Sequence, residues 1–140
     1  MKKKVIFLLL AVAASTMVFL SCKKDKNSRD EDLPPLTSVV GYWVGVYGVK
    51  DNKPNLDYAF LIKPDSTLIV YSQSADTAIA KKATGTWTFD PVTKKFSSYY
   101  IYSQDERYST NGVLSHRSLI GTWGIWLNDS GGGTYEVKFK

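Results

Sequence analysis

From Ser38 to Lys140, short runs of β-branched and aromatic residues alternate with clusters of Gly, Pro, Asn and Asp. No stretch of helical length carries apolar positions at three- and four-residue spacing. The alternation predicts strands over Val39–Gly48, Asp57–Lys63, Thr67–Ser72, Lys82–Phe89, Lys95–Ser103, Glu106–Leu114, Ser118–Leu127 and Thr134–Phe139. Period-two parity puts Trp43 and Tyr47 on one face of the first strand and Tyr42, Val44 and Val46 on the other. Pro64-Asp65-Ser66 and Asp90-Pro91-Val92-Thr93 supply turns, because Pro presets φ and the Asp side chain bonds forward to the backbone. Two turns compete before the seventh strand, Asn111-Gly112 and Ser115-His116-Arg117. The second is preferred because it keeps Tyr108–Leu114 in one strand. About eight strands with mostly short connections predict an all-β fold, a single antiparallel up-and-down β-barrel.

Gly41-Tyr42-Trp43, Gly85-Thr86-Trp87 and Gly121-Thr122-Trp123 repeat one pattern at unequal spacing, which argues against a solenoid and for equivalent corners of one sheet. A Gly two places before a Trp shares its strand face, leaving room for the indole or for a bend in the strand.

The N-terminal region has a different pattern. Met1-Lys2-Lys3-Lys4 is a basic leader, and Val5 to Leu20 is an apolar run short of the ~20 residues that cross a bilayer comfortably. The expectation is a secretory signal over residues 1–21. Phe19-Leu20-Ser21-Cys22 resembles the bacterial lipoprotein signal, in which lipid is attached to the cysteine and the chain is cut just before it. Phe19 stands where Leu is common and Leu20 where a smaller residue is usual, whereas Ser21 and the switch to Lys23-Lys24-Asp25-Lys26 fit. The resemblance implies a membrane anchor on Cys22, the one cysteine of the chain. Lys23 after it implies the outer membrane, with the periplasmic or external side left open. Residues 22–37 then form a lipidated tether. Its Lys23–Pro35 segment balances four basic against four acidic residues without an aromatic, a composition that cannot offset chain entropy by burial.

Residues 38–140 form the remaining domain. Gly41-Tyr42-Trp43-Val44-Gly45-Val46-Tyr47, Ile62-Lys63-Pro64-Asp65-Ser66-Thr67-Leu68, Gly85-Thr86-Trp87-Thr88-Phe89, Gly121-Thr122-Trp123 and Gly132-Gly133-Thr134-Tyr135 follow one another as in lipocalin-like bacterial lipoproteins, which the domain resembles. That resemblance implies a small calycin-type barrel and brings a fold without a chemistry.

A search for chemistry excludes more than it finds. One cysteine, placed at the lipidation signal, leaves no internal disulfide, and one histidine leaves no multi-histidine metal site. His116 falls in a predicted turn beside Arg117 and reads as solvated rather than as a general base. Asp105-Glu106 reads as a solvated bend, since adjacent strand residues point to opposite faces. Gly131-Gly132-Gly133 precedes a strand, whereas a phosphate-cradling loop needs a helix behind it. No catalytic residue, metal or cofactor is expected, and Asp65-Ser66-Thr67 and Asp76-Thr77-Ala78 resemble bacterial O-glycosylation strings at Ser66 and Thr77.

Aromatic residues are the remaining clue. The domain holds all four Trp and all nine Tyr, each able to bury roughly 150–250 Å². Trp43, Trp87 and Trp123 read first as core, but a small barrel has one interior, so the surplus rings either line a ligand cavity or lie outside. Trp43, Tyr58, Trp87, Tyr100 and Trp123 are the candidate ligand-binding residues. The leading expectation is a non-catalytic, lipid-anchored barrel holding a small apolar or amphipathic ligand. The alternative is an interaction lipoprotein whose exposed aromatic face meets an envelope protein or glycan.

Charge is the last constraint. The net charge of +5 and pI of about 9.2 would ordinarily raise nucleic acid as a partner. Three of the 18 basic residues belong to the leader, leaving 15 against 13 acidic. With no basic cluster in the domain, nucleic acid is not an expected partner.

Overall fold

The computed structural model describes residues 33–140; the predicted signal peptide, Cys22 and the tether to residue 32 lie outside the described residues. Strands form where the alternation places them: β1 (Gly41–Tyr47), β2 (Leu56–Ile62), β3 (Thr67–Ser72), β4 (Lys81–Phe89), β5 (Lys95–Ser103), β6 (Glu106–Ser115), β7 (Ser118–Ile125) and β8 (Gly133–Phe139). Each pairs antiparallel with the next, and β8 returns to β1 from Trp43↔Phe139 to Tyr47↔Tyr135. The result is a closed, all-β, up-and-down barrel of eight strands, consistent with a lipocalin-like architecture, and no helix occurs among the described residues.

The turns follow the chemistry of their residues. Asp65 accepts from the Thr67 backbone N–H at 3.0 Å and from its hydroxyl at 2.6 Å, which holds Ser66 at a left-handed φ of 64°. Asp90 does the same for Val92 and Thr93 ahead of Lys94 at φ 60°. The sixth turn lies at His116, φ 55°, with Ser115 opposite Ser118, so Asn111 and Gly112 stay inside β6. Several strand ends lie one or two residues from their expected places. β4 starts at Lys81, one residue early. β7 stops at Ile125, because Trp126 takes φ 60° and its N–H bonds the Arg107 carbonyl at 2.8 Å.

One end of the barrel is closed by apolar packing. Trp43, Phe60, Phe96, Leu68, Leu119 and Val137 are fully or almost fully buried there, and Val39 plugs the opening, its carbonyl accepting from the Trp43 indole at 2.8 Å. Leu36 bonds the His116 carbonyl at 3.1 Å, so the incoming chain reaches the barrel at this closed end. Gly121 and Gly85 bring strands together on the inner face. A Cβ on Gly121 would run into the Asn111 carbonyl and the Gly112 Cα of β6, and one on Gly85 into the backbone of Tyr99 and Tyr100 on β5. At these two corners glycine allows close approach of neighbouring strands, rather than the room for an indole or the bend expected from the sequence.

Candidate functional site: a tyrosine-walled cavity at the open end

At the other end, inward-facing positions on five strands carry aromatic rings: Tyr47 on β1, Tyr58 on β2, Tyr100 and Tyr102 on β5, Tyr108 on β6 and Trp123 on β7. They surround an open cavity of about 120 Å³. At the ~30 Å³ a water occupies in the liquid, it has room for about four waters or one small molecule. The rings touch in sequence around it. Tyr47 meets Trp123 at 5.8 Å and 84°, Trp123 meets Tyr108 at 5.8 Å and 65°, and Tyr108 meets Tyr102 at 5.8 Å and 77°. Edge-to-face contacts of this kind are favourable in themselves and hold the walls in place.

Polar groups complete the lining. The Tyr58 and Tyr100 hydroxyls bond each other at 2.5 Å, and Tyr102 donates to Ser72 at 2.7 Å. Within the Tyr58–Tyr100 pair one O–H is the donor and the other remains available, and the Ser72 O–H is likewise uncommitted by its bond from Tyr102. The Trp123 indole N–H is used on the Gly48 carbonyl at 2.8 Å, so Trp123 offers the cavity only its ring. At the mouth, Lys81 and Glu106 form an ion pair at 2.6 Å, each side chain a little over one-third exposed, and the Lys81 ammonium lies 5.0 Å from the Tyr102 ring centre.

Burial dominates the proton chemistry. It pushes Tyr58 and Tyr100 well above the usual phenol range and Tyr102 up to about 12, the Ser72 hydroxyl drawing Tyr102 partly back. Tyr135, beneath the cavity, is raised in the same way. Thr110 acts against that shift, but their contact lacks hydrogen-bond geometry and leaves Tyr135 Oη buried without a bond. Phenols raised this far are neutral at physiological pH and serve as hydrogen-bonding and π surfaces rather than as proton acceptors.

Of the five candidate ligand residues, Tyr58, Tyr100 and Trp123 come together in this lining. Trp43 and Trp87 do not. Trp43 is fully buried against Phe139 at the closed end, and Trp87 stacks on Phe96 with its N–H on the carbonyls of Lys63 and Thr67. Their indoles are spent on the backbone and the core. Tyr47, Ser72, Gln73, Tyr102 and Tyr108 join the site unforeseen, with the charged pair Lys81 and Glu106. Glu106, expected in a solvated bend with Asp105, shares the inward face of Tyr108 and points into the mouth. That parity was the available signal for it. The lining is richer in hydroxyls than an apolar ligand would need.

A second feature lies outside the barrel near the same end. Arg107 sits 4.3 Å over the Trp126 ring, and Tyr99 meets Trp126 edge-on at 6.4 Å. Ile101, Ile125 and Leu127 are exposed around them, Leu127 by 78%. Ser109, opposite Tyr99 in the register, is buried on this outer face with no partner for its hydroxyl.

Comparison of the chain with protein-family models, curated proteins and solved structures gives no match. Function is therefore argued from the site, since a barrel fold alone hosts many activities.

Proposed function

We propose that this protein is a non-catalytic binding module that holds a small amphipathic molecule in the tyrosine-walled cavity, carried on a lipid anchor at Cys22 in an outer membrane. The observation that carries the reading is the cavity itself. Six rings wall a space of about 120 Å³ that opens at one end of an otherwise filled barrel and retains uncommitted hydroxyls. Convergent polar groups inside a concave aromatic lining are what binding sites share, and at this volume the occupant is well below drug size. The anchor rests on the likeness of Phe19-Leu20-Ser21-Cys22 to lipoprotein signals.

Native mass spectrometry of the chain recovered from its own host envelope tests both parts. A small-molecule adduct is expected, lost on Trp123→Ala in chains that still fold, together with an acyl mass that disappears in Cys22→Ser. An adduct-free wild-type spectrum would count against ligand binding, and an unmodified Cys22 against the anchor.

The outer patch favours a second reading, in which the exposed face of Tyr99, Arg107 and Trp126 meets an envelope protein or glycan. Under that reading Trp126→Ser abolishes a co-purifying partner and leaves any cavity adduct unchanged.

A further inference from the structure

The cavity carries its own indication of ligand charge. Within the lining, the face of Tyr102 already carries a cation, the Lys81 ammonium 5.0 Å from its ring centre. An aromatic face presents the negative side of its quadrupole, which favours a cation and disfavours an anion. Tyr58, Tyr100 and Tyr102 contribute no formal charge, because burial raises their phenols well above the ordinary range. One carboxylate, Glu106, belongs to the same lining. The position beside it is already taken by a cation, since Lys81 places its ammonium 2.6 Å from Glu106 and 5.0 Å from the Tyr102 ring centre. Both side chains reach solvent, and the four-carbon stem of lysine lets its head group swing away without moving the strand.

We propose that the cavity selects a small organic cation, an ammonium or quaternary ammonium group, which takes the place of the Lys81 ammonium between Glu106 and the face of Tyr102. The inference rests on the reading of the cavity as a ligand site and adds the ligand's charge and size. A carboxylate ligand would gain Lys81 but face Glu106 and the ring faces. An uncharged apolar ligand would leave the ion pair at the mouth desolvated with nothing in exchange. A quaternary ammonium is weakly hydrated and spreads its charge over methyl groups, so ring faces and one carboxylate replace water at little cost. In the exchange no bond breaks: Lys81 turns outward to water as the ligand cation enters.

The test compares three probes of one shape: choline, its uncharged carbon isostere 3,3-dimethylbutan-1-ol, and the corresponding carboxylate 3,3-dimethylbutanoate. Binding to the full-length chain in an uncharged detergent is followed by calorimetry and tyrosine fluorescence. Choline is expected to bind roughly tenfold tighter than the alcohol, with the carboxylate weakest. Glu106→Gln is expected to remove most of that preference while leaving the alcohol's affinity in place. Lys81→Met, which keeps the stem and deletes the internal competitor, is expected to tighten choline several-fold. Tyr102→Phe keeps the ring face and the preference, whereas Tyr102→Leu loses it, and near-ultraviolet circular dichroism confirms that each variant is folded. Equal affinity for choline and the alcohol overturns the cation inference and leaves the ligand site standing. A preference for the carboxylate, or an unchanged preference in Glu106→Gln, overturns it as well. If none of the three probes binds, the inference fails, and the ligand site is then judged on the envelope-derived adduct alone.

Discussion

Trp87 and Trp123 occupy the same Gly-x-Trp context and the same inward parity, yet their N–H groups and rings are used differently. The Trp87 N–H is shared between the carbonyls of Lys63 and Thr67 at 3.0 and 3.1 Å, away from the cavity, while the Trp123 ring is one of its walls. Trp87→Phe leaves both carbonyls without that donor, and a lost bond to a partly buried acceptor costs about 1–2 kcal/mol. Urea unfolding should register that loss with ligand affinity unchanged, and a parallel loss of affinity would contradict the separation of the two roles. Tyrosine offers a second measurement at this scale. Burial raises the phenols of Tyr58, Tyr100, Tyr102 and Tyr135, Tyr102 to about 12. A folded-state pKa raised above the unfolded value of about 10 leaves stability untouched below pH ~10 and erodes it as pH climbs toward the folded pKa. Ultraviolet titration should therefore show these four of the nine tyrosines ionising late, together with alkaline unfolding. Replacing Tyr100 by Phe should flatten the stability loss above pH 10, since one buried phenol fewer then drives it.

Among the elements, β6 and β7 are held together where Gly112 and Gly121 face each other in the register. Gly121→Ala would push a methyl group into the Asn111 carbonyl, so the strands must separate. Strain of this kind costs typically 1–3 kcal/mol, whereas Val113→Ala on the exposed outer face of β6 should stay within about 0.5 kcal/mol. Denaturant midpoints for the pair check the contrast. The strands and turns themselves were legible because each rests on local chemistry: period-two alternation, the Asx bonds of Asp65 and Asp90, and a left-handed residue at His116. Depth along the barrel was not. Parity tells which side chains point inward but not how far each strand is staggered against its neighbours, and the stagger assigns Trp43 and Trp87 to the closed half and Tyr47, Tyr102 and Tyr108 to the open one. Lys81 and Glu106 escaped notice for a related reason. A charge near a strand end looks solvated in sequence, and only the closure of the sheet brings two such residues, 25 positions apart, across Tyr102 to meet.

The molecule as a whole has two unlike ends. The chain enters at the closed one, where Leu36 bonds the His116 turn and Val39 plugs the core, and the C-terminal Lys140 N–H returns there to the Tyr42 carbonyl. The cavity opens at the other. If Cys22 carries a lipid, as proposed, the anchor joins the barrel through the closed end, opposite the mouth of the cavity. On that proposal, molecules dissolved in water would reach the rings from the side away from the point of attachment. Such an anchored barrel would sample the aqueous compartment rather than the leaflet that carried it. Lengthening or shortening the tether would change how far out it samples and leave unchanged what it can hold.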